Sequence, residues 1–354
     1  MILSDRDIQS VDKESMGEKV AAFPEHLAEG WEIGGQGSLE IQLGDVRNIV
    51  FGGMGGSAIA GDMIAGLFSS RLQVPYVVNR DYSLPGFTDK NTLFIASSYS
   101  GNTEETLSAL SEAESRGCSV LCVTSGGKVK ETGERCGYPV FHLPGGYPPR
   151  AALGYSLGTL IRIFTRLGLR AITEAQFQSA VEKTRSWGKM WQEINRDDNP
   201  AINLAKALEG KLPMINISDG RLYSVGLRWK TQINENSKSH AAFLPFPEMN
   251  HNEIMGWQMH PSTKPFLKQC AMVILRDPED HPRIQKRMDI TKELVRAEGL
   301  TVEDVVSEGD DFLSRFFYLI HLGDFVSYYL AVLYGVDPTE IKNIDHLKEG
   351  LSKI

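Results

Sequence analysis

The sequence is poor in the features that make several function classes easy to name. Cysteine occurs four times in 354 residues, as Cys118, Cys122, Cys136 and Cys270. Cys118 and Cys122 fall in Cys-Ser-Val-Leu-Cys, an apolar run that reads as a buried strand. Metal knuckles place paired cysteines near turns with further ligands close by, so the reading is free thiols in a reducing compartment and no zinc site. No segment approaches the roughly 18 consecutive apolar residues that a membrane span needs. The opening Met1-Ile2-Leu3-Ser4 shows no basic stretch followed by an apolar one, so no secretory signal is visible and a cytoplasmic location is expected. Positive charge is also short: 37 Lys and Arg stand against 45 Asp and Glu, a formal charge of -8. Nucleic-acid binding needs a concentrated basic surface, which this balance argues against; a small phosphorylated ligand needs only a local site.

Several chemical signatures are missing as well. The eight histidines form no His-Glu-x-x-His or similar metal-binding array. No lysine follows the glycine-rich loop at 52–56 in the way a nucleotide-triphosphate loop requires. Ser100 lacks the Gly-x-Ser-x-Gly surroundings of a hydrolase nucleophile.

What is present is an ordinary globular balance, 42% hydrophobic and 23% charged, in a chain long enough for two domains. The pattern predicts α/β architecture. Short runs apolar throughout at 47–52, 74–79, 92–97, 118–123 and 138–143 alternate with helical periodicity at 58–67 and 103–116, as in a parallel sheet covered on both faces. Pro-Gly-Gly-Tyr-Pro-Pro-Arg at 144–150 breaks the pattern before a helix near Ala151. A long polar-faced helix over 171–195 is expected to link this half to a second one. The second half has helices at 199–209, 222–233, 283–297, 311–334 and 340–352, and strands at 212–217 and 271–275. The expected domains are residues 1–155, a helical connection 156–198, and residues 199–354. No sequence repeat relates the halves. The aromatics Phe312, Phe316, Phe317, Tyr318 and Phe325 are expected in a core or a subunit seam.

Two loops could hold phosphate. In Phe51-Gly-Gly-Met-Gly-Gly-Ser57, Gly55 and Gly56 would let backbone N–H groups and the Ser57 hydroxyl approach an anion at a helix start. The same residues fit the loose Gly-x-Gly-x-x-Ala form of a dinucleotide fingerprint with Asp81 downstream, which keeps an oxidoreductase open. The second loop, Ser98-Tyr-Ser-Gly-Asn-Thr103, offers hydroxyls on Ser98, Ser100 and Thr103 beside another helix start, although Thr103 could be an N-cap alone.

An acid–base pair is suggested further on. Glu235 lies between Asn234 and Asn236, and His251 between Asn250 and Asn252, as though both were hydrogen-bonded into a site. Moving a proton between neighbouring carbons needs a held base, for which Glu235 is the candidate. It also needs a cation opposite the developing enediolate, for which Arg150 is the candidate. Lys348, in the terminal helix, does not stand out by pattern.

Gly53-Met-Gly-Gly-Ser57, Ser98-Tyr-Ser-Gly-Asn-Thr103, Pro149-Arg150, Asn234-Glu-Asn236, Asn250-His-Asn-Glu253 and Leu347-Lys348, in this order and over nearly all of the chain, resemble the bifunctional phosphoglucose/phosphomannose isomerase family. The resemblance implies two sugar-isomerase (SIS) domains of three α/β/α layers with mainly parallel sheets. It implies a homodimer interconverting glucose 6-phosphate, fructose 6-phosphate and mannose 6-phosphate through a cis-enediol, without metal or cofactor, in glycolysis and gluconeogenesis. By the same resemblance Glu235 transfers the C1–C2 proton and Arg150 stabilises the enediolate. His251, from the partner subunit, and Lys348 assist ring opening, while Gly55, Gly56, Ser57, Ser98, Ser100 and Thr103 bind the substrate. The alternative within SIS proteins is a noncatalytic sugar-phosphate-binding regulator.

Overall fold

The computed structural model describes residues 4–39, 41, 43–168 and 172–353. Met1–Leu3 and Ala171, on which parts of the N-terminal and linking-helix readings fell, lie outside the described residues.

Five strands, β1 (Asn48–Gly52), β2 (Tyr76–Asn79), β3 (Thr92–Ser98), β4 (Ser119–Thr124) and β5 (Val140–His142), form a wholly parallel sheet in the order β2-β1-β3-β4-β5. Each falls where an apolar run predicted it. Alternate residues feed two cores: Ile49, Phe51, Leu93 and Ile95 pack on one face, and Val50, Phe94 and Ala96 on the other. Because both faces are buried, the strands read as continuous apolar runs.

The second sheet contains β6 (Leu212–Asn216), β7 (Ala242–Phe243), β8 (Cys270–Arg276) and β9 (Thr301–Val306), all parallel, in the order β7-β6-β8-β9. This repeats the first four positions of the first sheet, a duplication of topology that the sequence did not reveal. Two of these strands were not expected. β7 is only two residues long, and β9, Thr-Val-Glu-Asp-Val-Val, is an edge strand interrupted by the carboxylates Glu303 and Asp304, with a single buried residue, Val302.

One apolar cluster joins the inner faces of both sheets through shared helices, while separate clusters cover the outer face of each. The helices Met16–Ala21 and Phe23–Gly35 also belong to this inner layer and were not foreseen. Phe23–Gly35 lies tightly along Leu153–Arg166. A Cβ on Gly30 would come within 2.4 Å of Tyr155 O, and one on Gly158 within 2.2 Å of Leu27 O, so two bare backbones set the spacing. The linking helix spans Glu174–Gln192 and buries Phe177, Val181 and Trp191.

The helix Phe312–Tyr334 corrects the expectation that no segment is long and apolar enough to cross a membrane, since its length and composition pass that test. Every residue from Leu313 to Leu333 is buried within the fold, which accounts for its hydrophobicity as that of a core helix. Phe316, Phe317 and Phe325 are core residues, as expected.

Two buried histidines make this inner layer acid-sensitive. His321 shares a 3.1 Å hydrogen bond between Nε2 and the Val20 carbonyl, and burial pushes its imidazole down to about 3. His26 stacks on Tyr155 and is pushed down by burial to about 4. In the unfolded chain both protonate near pH ~6.5, so below that value the unfolded state binds more protons and stability falls on acidification. Each should cost about 2 kcal/mol between pH 7 and pH 5. His321→Gln, which keeps a donor for Val20 O but does not titrate, is expected to remove about half of the shift in urea midpoint between those two pH values.

Candidate active site

In the order β2-β1-β3, the chain runs outward from β1 on one side and then on the other, so the first sheet switches direction between β1 and β3. Ligands of open α/β sheets bind at the carboxyl ends of strands flanking such a point. Both glycine-containing loops leave from there. After β1, Gly55 opens the helix Gly55–Phe68 with φ 50°, a left-handed value that suits glycine. A Cβ on Gly56 would stand 3.1 Å from the Pro149 carbonyl, so this turn runs directly under the Arg150 segment. After β3, Gly101 adopts φ 70°, and a Cβ there would fall 1.7 Å from the Gly126 carbonyl, which leaves glycine as the only residue that fits.

The hydroxyls of the second loop are already ordered by one another. Ser98 Oγ and Thr103 Oγ1 share a 2.9 Å hydrogen bond, and Ser98 Oγ accepts from the Gly101 amide at 3.1 Å. Ser100 is exposed, and its Oγ accepts from the Asn102 amide. The buried Ser57 accepts from the Tyr99 amide at 3.2 Å, tying the two loops together. Thr103 stands at the N-cap position of the helix Glu104–Ser115 but makes no side-chain cap bond, so the capping alternative does not describe its hydroxyl.

The corresponding loops of the second sheet carry opposite chemistry. After β8 come Asp277, Glu279 and Asp280 instead of hydroxyls. Ser218, after β6, donates to Asp280 at 2.5 Å, and Arg315 pairs with Asp277 at 2.9 Å. Burial pushes the Asp280 carboxyl above the ordinary range. A phosphate would meet three carboxyl groups there, so these loops do not repeat the hydroxyl-lined arrangement of the first half.

The helix after β6, Tyr223–Ser237, carries Glu235, and its periodicity explains how. Residues four apart share a face. Val225, Trp229 and Ile233 enter the core. Arg228, Gln232 and Asn236 form a buried polar stripe against Phe312–Tyr334: Arg228 grips Asp324 through Nε at 2.9 Å and Nη2 at 2.8 Å, Gln232 donates to Asp324, and Asn236 donates to Ser327. Leu227, Thr231 and Glu235 form the third stripe and, with Gly55, Gly56 and Arg150, line a cavity of about 210 Å³.

Arg150 sits in a short 3-10 turn, Pro149–Ala151, and is 4% exposed. Its Nε donates to Asn236 Oδ1 at 2.7 Å and its Nη1 reaches Glu235 Oε2 at 3.4 Å. Nη2 donates to the carbonyls of Pro338 (2.5 Å) and Thr339 (3.0 Å), and the Arg150 carbonyl in turn accepts from Arg228. The guanidinium is thus locked in place with one edge toward Glu235, a carboxylate and a fixed cation facing one small cavity.

His251 and Lys348 stand apart from this arrangement in the single chain. Both are exposed, and neither lines the cavities on either side of Glu235. The asparagines around His251 serve their own turns: Asn250 donates to Thr291, Asn252 donates to Glu248, and the Asn252 side chain caps Glu253. Asn234 likewise accepts from the Ala241 amide. Of the four asparagines read as one hydrogen-bonded setting, Asn236 alone touches Arg150 among the described residues. Sequence reasoning missed Arg228, Gln232, Asp324 and Ser327. Asp324 carried a usable signal, because a lone carboxylate within a long apolar helix requires a buried partner.

The C-terminal SIS domain family of bacterial phosphoglucose isomerases matches residues 197–351, and the SIS domain family matches residues 42–130. The chain is 44% identical over 340 residues to the bifunctional phosphoglucose/phosphomannose isomerase of Caldicellulosiruptor bescii, covering 96% of this chain and 99% of that protein. It belongs to the bifunctional phosphoglucose/phosphomannose isomerase family. Membership places it among the SIS-domain phosphosugar isomerases, and the two sheets with helices on both faces are the two SIS domains. A D-glucosamine-6-phosphate 4-epimerase of Sulfolobus acidocaldarius is also related, 36% identical over 59% of this chain and 63% of that protein. Among solved structures, a protein of Thermus thermophilus shares the fold, with a TM-score of 0.74 over 98% of this chain and 92% of that one at 15% identity.

Proposed function

We propose that the protein interconverts glucose 6-phosphate and fructose 6-phosphate, and also mannose 6-phosphate, by metal-independent proton transfer through a cis-enediol. The observation that carries the reading is the pairing of Glu235 with the immobilised Arg150, 3.4 Å apart, beside the cavity floored by Gly55 and Gly56. The hydroxyls of Ser98, Ser100 and Thr103, together with Ser57 and the adjoining helix start, hold the phosphate. The Glu235 carboxylate removes the proton from C2 of the aldose and delivers it to C1 of the ketose, and the reverse reaction runs along the same path. Arg150 stabilises the oxyanion while the enediolate exists, and it needs no rearrangement because its other donors are already engaged. Rotation about C2–C3 lets the same base reach either face of the planar enediol, which supports glucose and mannose epimers as products of one base. His251, brought by a partner subunit, and Lys348 assist opening of the cyclic sugar; family membership and their positions outside the single-chain cavity support that reading. The enzyme acts as a cytoplasmic homodimer.

The test is a time course of the purified protein with fructose 6-phosphate in chelator-treated buffer, following glucose 6-phosphate and mannose 6-phosphate together. Both products should form. Glucose 6-phosphate alone would restrict the enzyme to one epimer. Neither product would overturn the reading and favour a modified hexose phosphate or a binding role.

A further inference from the structure

The helix that carries Glu235 ends on a lysine whose backbone conformation favours glycine. Lys238 has φ 53° and ψ 28°. Left-handed backbone costs a residue with a Cβ about 1–2 kcal/mol, and helices commonly place glycine at this position. The side chain folds back over the helix end: Nζ donates to Glu235 O at 2.6 Å, Asn236 O at 3.4 Å and Pro338 O at 3.5 Å. Capping accounts for the first two contacts. The third leaves the helix, because Pro338 belongs to the crossover Gly335–Ile341 between the buried helix Phe312–Tyr334 and the terminal helix Lys342–Leu351. That same carbonyl accepts from Arg150 Nη2. Two cations, Arg150 and Lys238, therefore converge on one peptide oxygen.

We propose that Lys238 is a positioning residue of the reaction, clamping the crossover onto the last turn of the Glu235 helix so that Arg150 is held against Glu235. This rests on the isomerase reading above. The groups facing Lys238 suit a clamp. Glu235 is on its own helix, Arg150 comes from the 3-10 turn, and Asp337 and Glu340 come from the crossover. Lys238 also lines a cavity of about 430 Å³ whose wall includes Glu235, His240, Glu340 and Lys342. Burial, followed by the nearby Arg150 charge, lowers the Lys238 ammonium to about 8. The clamp is thus charged at neutral pH and loses its charge as pH rises past about 8.

The deciding variants are Lys238→Gly and Lys238→Arg, compared with the full-length wild type. Glycine relieves the left-handed backbone, so a role in capping alone predicts wild-type turnover in Lys238→Gly. The clamp predicts that kcat with fructose 6-phosphate falls about 10- to 100-fold while KM changes far less, since a small misplacement of reacting groups suffices. It also predicts faster amide hydrogen exchange across residues 336–341. Lys238→Arg, whose charge does not titrate, should retain most of kcat and lose the alkaline limb centred near pH 8. Wild-type kcat in Lys238→Gly with unchanged exchange over 336–341 would overturn the clamp. A wild type that converts no hexose 6-phosphate would overturn the functional reading instead, and the exchange comparison would then decide the clamp alone.

Discussion

Glu235→Gln is expected to lower kcat by about 10³-fold, within the range that positioned acid–base groups contribute. The amide has the size of the carboxylate and keeps an oxygen for Arg150 Nη1, so the cavity and its other contacts persist. What is lost is the ability to take a carbon-bound proton. With the phosphate held at the β1 and β3 loops, as proposed, KM should move by less than about threefold, an outcome that marks a loss confined to the transition state. The side chain is about a third exposed and makes one weak ion pair, so the unfolding midpoint should stay near that of the wild type. Turnover at the wild-type rate would place the base elsewhere and remove Glu235 from the mechanism.

The second large effect is on stability. Arg228 and Asp324 are 3% and 4% exposed and meet through two hydrogen bonds. Arg228→Met would leave the Asp324 carboxylate buried without its cation and the Arg150 carbonyl without its donor. Removing one partner of a buried pair costs about 3–5 kcal/mol, to be read as a lower urea midpoint. The double variant Arg228→Met with Asp324→Leu should recover much of the loss, because two matched apolar groups leave no stranded charge. Activity should remain low in the double variant, since Arg150 loses a support in both cases. Equal midpoints for Arg228→Met and the wild type would show that this pair does not hold the two helices together.

The parallel sheet of the first half was legible because its strands are buried on both faces and therefore written as unbroken apolar runs. β9 was not, because Glu303 and Asp304 interrupt it at an edge. The three-stripe helix was legible only in part. The helix itself was expected over 222–233, but nothing in the local pattern separates the polar stripe of Arg228, Gln232 and Asn236 from an ordinary solvated one. That stripe is defined by Asp324 and Ser327, which lie far along the chain, and a periodicity has no access to such a partner. Glu235 and Arg150 were found as candidates by the chemistry an isomerisation requires, and the fold brings them together. The asparagine-rich setting of His251 was ambiguous, since short polar side chains that brace a turn, as Asn250 and Asn252 do here, and those that build a site look alike in sequence. Lys238 was passed over for a related reason: its departure from the norm is a backbone angle.

The two sheets share a strand order yet divide the labour. One copy has an open, hydroxyl-lined crevice suited to a charged tail; the other has filled its crevice with carboxylates and contributes, from the helix after β6, the proposed base Glu235. Neither half is an enzyme in miniature. On the proposed function, catalytic alignment is a property of the seam where Arg150 of one half meets Glu235 of the other, and a tremor between the halves would be felt directly by the bond being made. Across that seam Arg228, itself held by Asp324, donates to the Arg150 carbonyl and so rivets one half to the other.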